Sequence, residues 1–218
     1  MDAPRPSTIR SQYARLSSKA RDALHVIRQN GPGQVQFWFI ALLVGIAAGG
    51  GAVLFRLGIN LLQTTLYGMD DPRLMHSFAE TLPWYMIVLI PVCGGLVVGI
   101  ILDRFTADGR AKSVAEVIEG AALHNGRVEP KEGVASAAAS LITLGSGGSS
   151  GREGPVVHLA AVLSSWVLNR INADGITGRD LLGCAVAAAV SASFNAPIAG
   201  ALFALEVVLR HFAVHAFA

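Results

Sequence analysis

The residues best equipped for chemistry are Gly145-Ser146-Gly147-Gly148-Ser149-Ser150-Gly151-Arg152-Glu153-Gly154-Pro155, set inside an apolar part of the chain. Val134 to Leu144 before them is uncharged, and Val156 to Leu168 after them carries only the titratable His158. Polar, irregular backbone between such flanks is tolerated at membrane depth only where protein buries it or a watery path runs past it. An ionisable side chain there is a functional candidate by default. Gly151, Gly154 and the serines leave backbone N–H groups uncovered, and Pro155 suits a first helical turn, where no N–H is needed. A helix starting near Glu153 would aim its free amides and positive dipole end at whatever precedes it, which favours anions. Glu153 then has two readings. It caps its own helix, or it competes with an anion for the same place, seated when charged and displaced when protonated.

The elements that must hold this loop are apolar. Hydrophobic residues make up 52% of the 218-residue chain and charged residues 15%, with mean hydropathy +0.51, which points to one membrane body. A net charge of +2 speaks against a nucleic-acid surface. Cys93 and Cys184 lie in apolar runs and read as buried small hydrophobes; no spacing suggests a metal site. Residues 1–34 are polar and basic, with Ile9, Tyr13, Leu16, Ala20, Leu24 and Ile27 at helical spacing, so an amphipathic helix on the cytoplasmic membrane face is expected. Phe37 to Phe55, continuing past Arg56 through Leu66, makes a first spanning helix of about 30 residues. Leu82 to Leu102 makes a second, with Trp84 and Tyr85 as interfacial anchors. Gly45/Gly49 and Gly95/Gly99 are small-xxx-small pairs that mark close helix packing.

Further on, Glu129-Pro130 starts a helix of small residues over Gly133–Leu144, and Pro155–Ile171 forms the helix behind Glu153. Asn172 to Arg179 reads as a polar turn. Leu181 to Leu205 is uncharged but interrupted at Asn195-Ala196-Pro197, which suggests two half-helices of the kind that carry ion sites. His158 reads as a packing residue.

Gly151-Arg152-Glu153-Gly154-Pro155 resembles the G-[KR]-E-G-P signature of the CLC family of chloride channels and chloride/proton antiporters. About forty residues later, Ser193-Phe194-Asn195-Ala196-Pro197-Ile198-Ala199-Gly200, followed by Leu202-Phe203-Ala204-Leu205-Glu206, resembles that family's FNAP segment. The resemblance implies an all-α membrane protein with the tilted and partial-span helices of the first CLC inverted repeat. Residues 35–218 are then the first half of the transmembrane domain, without the second repeat. It further implies a homodimer in a lipid bilayer, with a pore in each subunit. A bacterial inner membrane and a cytoplasmic N-terminus are expected, with chloride and similar anions as the transported ligand and no cofactor.

Residue by residue, the resemblance makes Glu153 the gate and puts Gly151, Arg152 and Gly154 at the chloride. Aligning Glu116 with the glutamate of the family's GSGIPE motif puts Lys112 in the place of its chloride-binding serine and Ser113 in that of a glycine. Ser113 could then supply the hydroxyl after a register shift, Lys112 could supply an ammonium, or Lys112 could snorkel to the cytoplasm and bind nothing. Asn195, Ala196 and Pro197 form the second pathway loop. Glu206 followed by Val207 matches the channels, since antiporters of the family often carry a second glutamate at the position of Val207. The expected activity is therefore a passive, voltage- or pH-gated chloride channel, with an antiporter as the alternative. An enzyme is not expected: the GxxxxGK[ST] pattern is absent and no βαβ unit precedes the glycine loop. A purely structural membrane protein would account for the hydropathy but not for the Arg-Glu loop.

Overall fold

The structure, a computed structural model, describes residues 32–68, 83–171 and 174–210. The amphipathic segment expected over residues 1–34 falls almost wholly outside these, as do Met69 to Glu80, whose sequence reads as a polar connection, and His211 and His215, which read as a cytoplasmic or interfacial boundary. Among the described residues the elements are all helical: α1 (Gln34–Tyr67), α2 (Trp84–Phe105), α3 (Val114–Leu123), α4 (Pro130–Gly145), α5 (Glu153–Ile171), α6 (Gly175–Phe194) and α7 (Pro197–Phe203), which runs into a π-helical segment over Ala204–Leu209.

The helix ends follow local chemistry. Ser113 begins α3 with a capping box: its Oγ accepts from the Ala115 N–H, and its own N–H donates to Glu116 at 2.7 Å. Pro130 opens α4. Asp174 caps α6 by accepting from the Thr177 N–H at 2.9 Å, so Gly175–Arg179, expected as turn, is the first turn of a helix. Asn195 ends α6 in the left-handed region (φ 53°), and Pro197 restarts the chain as α7. The break at Asn195-Ala196-Pro197 is thus a helix stop followed at once by a helix start.

α6 is the hub, packing against α1, α5, α7 and the π-helical segment. Val44, Ala48, Ala52, Phe55 and Ile59 make one buried stripe along α1. Gly45 and Gly49 let that stripe close on Ala188 and Ala192 of α6, as the first small-residue pair suggests. The second pair does not behave so: Gly95 and Gly99 face open space, and the packing glycine of α2 is Gly94, seated on the Ser146 side chain. Gly94 is also the one buried residue of α2, and this corrects the reading of Cys93, which is exposed; Cys184 is half-buried. α5 is enclosed on nearly all sides by two cores, one shared with α1, α4 and α6, the other with α3, α6 and the π-helical segment.

α1 and α2 have the length and apolarity to cross a membrane. Their outward faces expose Trp38, Phe39, Leu42, Leu43, Ile46, Trp84, Leu89 and Leu96. Such continuous apolar surface is an aggregation liability in water and an ordinary face in lipid. At 34 residues α1 is about 51 Å long, well over the ~30 Å hydrocarbon core, so it fits a bilayer only at a tilt.

Candidate anion site at two helix N-termini

The glycine-serine loop divides into two parts. Gly147, at φ 86°, and Gly148 form a Schellman stop for α4: the Gly148 N–H donates to the Thr143 carbonyl at 2.8 Å, and the Gly147 N–H to that of Leu144 at 3.4 Å. A side chain at Gly148 would meet the Thr143 backbone, so this glycine is demanded by packing. α1 anchors this part, with the Tyr67 hydroxyl donating to the Ser146 carbonyl at 2.9 Å and Gln63 Nε2 to that of Leu144 at 3.1 Å. Ser149 to Glu153 follows, exposed throughout.

α5 begins at Glu153. The Glu153 carboxylate folds back over its own loop: a Cβ on Gly151 would sit 2.8 Å from Oε2. Gly154 faces the start of α3, where a Cβ would lie 3.5 Å from Ser113 Cβ and 3.6 Å from Ser113 Cα. The structure therefore brings the N-termini of α3 and α5 together, with Ser113, Gly151, Glu153 and Gly154 at the junction. Two helix starts bring their positive dipole ends to one locality, an arrangement suited to a small anion, and on α3 the Ser113 and Ala115 amides are engaged by the capping box. Arg152 is exposed, and no ion pair joins it to Glu153 among the described residues.

Lys112 is placed differently. Its backbone N–H donates to Ser136 Oγ of α4 at 2.8 Å, and its ammonium pairs with Asp108 at 3.0 Å and Glu132 at 3.3 Å. The hydrogen bond to Asp108 is the main cause holding the lysine pKa above its ordinary value, and the same bond holds the exposed Asp108 carboxyl below its own. The ammonium thus stays charged and occupied by carboxylates. Of Lys112, matched to the family's serine, and Ser113, one position later, Ser113 is the one at the junction.

Asn195, Ala196 and Pro197 form the α6–α7 connection, and α7 packs on α6 and the π-helical segment. Glu206 is exposed and Val207 half-buried in that segment, which also packs against α3, the helix that Ser113 starts. Four residues that matter to this geometry were not singled out from the sequence for it: Tyr67, Gln63, Glu132 and the capping role of Glu116. Only Glu116 had a legible signal, the Ser-x-x-Glu spacing of a capping box.

Residues 94–218, more than half of the chain, match the family described as voltage-gated chloride channel. The chain belongs to the CLC family. Its similarity to a putative chloride channel protein, ClcB-like, of Ralstonia nicotianae is 34% identity over 174 residues, 78% of this chain and 40% of that protein. It is 33% identical to chloride channel protein CLC-e of Arabidopsis thaliana, covering 24% of that protein. It is 31% identical to the voltage-gated ClC-type chloride channel ClcB of Escherichia coli, again covering 40%. The chain thus spans well under half the length of the curated CLC proteins it matches.

Proposed function

We propose that this chain supplies the gate and part of the binding site of a chloride path across a lipid bilayer, with Glu153 as the gate. The observation that carries the reading is the meeting of two helix N-termini, Ser113 of α3 against Gly154 of α5, with the Glu153 carboxylate folded over Gly151. A carboxylate and a chloride ion seek the same donors, so they exclude one another. Protonation removes the charge that makes the carboxylate a competitor, and a rise in chloride displaces it by mass action. Gly151 and Gly154 let backbone approach the ion, Ser113 brings the positive end of α3 against it while Glu116 holds its hydroxyl and amide, and Arg152 adds a positive field at the loop. Lys112, held by Asp108 and Glu132, acts through its charge at longer range. The Asn195-Ala196-Pro197 turn forms a second wall of the path.

Passive conduction is the favoured mode, because Val207 follows Glu206 where a second carboxylate would serve proton transfer. Exchange of chloride for protons is the second reading, kept because Glu153 is itself a proton-accepting group beside the ion. The protein would act as a homodimer in the bacterial inner membrane, with residues 1–34 on the cytoplasmic side.

The test is the full-length protein in liposomes under an imposed chloride gradient, with chloride efflux and external pH recorded together. Chloride flux without coupled proton movement, with gating lost in Glu153→Gln, is the expected result. Proton movement against its own gradient in fixed ratio to chloride would replace the channel with the exchanger. Absence of anion flux would overturn both.

A further inference from the structure

His158 is 2% exposed, inside α5, and neither ring nitrogen has a hydrogen-bond partner among the described residues. Buried polar atoms are nearly always paired, so an imidazole with both nitrogens unpaired calls for an explanation. Packing alone does not supply one, since an apolar residue would fill the same space without desolvating two polar atoms. Gly133 of α4 makes room for the ring: a Cβ there would stand 3.1 Å from both Cδ2 and Nε2.

Burial is the largest influence on the imidazole and disfavours its charged form; three charges act on it besides, Glu116 from α3 and Glu132 from α4 in favour of a proton and Lys112 from the loop before α3 against it. α1 and α6 also pack on α5, and among the described residues neither adds a charge acting on the ring. Two of the three groups are already tied together, Glu132 holding the Lys112 ammonium at 3.3 Å. Glu116 is the acid attached to the junction, accepting from the Ser113 N–H at 2.7 Å and from Ser113 Oγ at 3.2 Å. It thus links the His158 environment to the residue that faces Gly154.

We propose that His158 is a proton-binding site coupled through Glu116 to the α3–α5 junction. A proton taken from hydronium on the aqueous side binds a free ring nitrogen, leaving water behind and an imidazolium in the helix. The new positive charge competes with Ser113 for the Glu116 carboxylate. As Glu116 turns toward the ring, the Ser113 N–H and hydroxyl are released beside Gly154, where they are donors for an anion. The proton-binding step stands by itself; its consequence for flux rests on the anion-path reading above.

The experiment uses the full-length protein in nanodiscs with nitrogen-15 histidine, the His158 resonance being assigned by its loss in His158→Gln. The His158 signal is expected to titrate on the acid side of the ordinary histidine value, because burial disfavours the imidazolium. Glu116→Gln, which removes a negative charge acting on the ring, should move the midpoint to lower pH. In liposomes, chloride flux should carry a limb at the same midpoint, changing about tenfold over the two pH units centred on it, as one-proton binding requires. That limb should vanish in His158→Gln and persist in Glu153→Gln. A His158 signal that stays fixed through the acid range overturns the proposal, as does a midpoint indifferent to Glu116→Gln. The Glu116→Gln arm keeps the native histidine, so it decides the matter even where His158→Gln does not fold. Absence of flux in the unmodified protein would count against the anion path and leave the titration to judge His158.

Discussion

Gly151→Ala gives the most direct test of the gate geometry. Its Cβ would sit 2.8 Å from Glu153 Oε2, against an ordinary contact of about 3.5 Å, so the carboxylate must withdraw by roughly 0.7 Å. The obstacle is the tip of a flexible side chain, and Gly151 is not among the glycines at positive φ, so the backbone accepts alanine unstrained. Holding the glutamate off its rotamer costs about 0.5–1.5 kcal/mol, and only in the conformer folded over Gly151. Destabilising that one state multiplies the population of its alternatives by about 2- to 13-fold. Chloride efflux from liposomes, measured at a pH where the unmodified protein is mostly closed, should rise by that factor. Thermal stability should stay within about 0.5 kcal/mol. In a Glu153→Ala background the alanine has nothing to displace and should change nothing, which makes the pair a double-mutant cycle. An equal rise in that background, or none in the native one, would refute the placement of the carboxylate over Gly151.

Three further outcomes follow from the framework around the site. Gly178→Ala should destabilise by about 3 kcal/mol or more, because its Cβ would overlap the Asn125 backbone carbonyl and neither chain can yield; thermal melting in detergent measures it. Tyr67→Phe removes the 2.9 Å bond to Ser146 and leaves a buried carbonyl short of a donor, costing about 1–2 kcal/mol in the same assay. Lys112→Met removes the ion pairs to Asp108 and to Glu132 of α4 while the backbone bonds of the loop to α4 remain, and its effect on melting should depend on pH. The lowered pKa of Asp108 gives a contribution present above the ordinary carboxylate value and lost as pH falls through the folded one, whereas the raised pKa of Lys112 gives one lost only in strong alkali. The difference in melting temperature between Lys112→Met and the unmodified protein should therefore be flat through neutral pH and shrink in acid.

Long uniform signals in the sequence were legible. The apolar run behind α1, the Asn195-Ala196-Pro197 break and the helix start at Glu153 are all written in periodicity, proline and small residues, and each lies where expected. What depended on which face a helix presents was not. Gly94 and Gly95 are neighbours in a uniformly apolar run, and only the approach of Ser146 distinguishes the packed one from the open one. Cys93 was misjudged for the same reason: α2 is apolar all round, so composition cannot tell a packed face from an outward one. The glycine-serine loop was legible as a unit but not in its division, because a helix stop and an anion cradle ask for the same residue types. Lys112 could not be placed because its partner Glu132 is twenty positions away, on a helix whose docking the sequence does not state.

The placement of Lys112 bears on how such a site would work. A bare ammonium at the junction would hold an anion strongly and release it slowly, whereas conduction needs sites favourable enough to enter and weak enough to leave. Here the lysine charge is met by Asp108 and Glu132, and what is left facing Gly154 is the backbone of a helix start at Ser113 and Val114. Each helix end contributes about half an elementary charge, so two together approach one positive charge, spread over fixed dipoles rather than concentrated on a mobile group. That is enough to attract a desolvated monovalent anion and also to seat a carboxylate. A gate built from Glu153 therefore needs no separate binding pocket. It uses the anion's own donors, and its strength is matched to the ion's because both are measured against the same two helix ends.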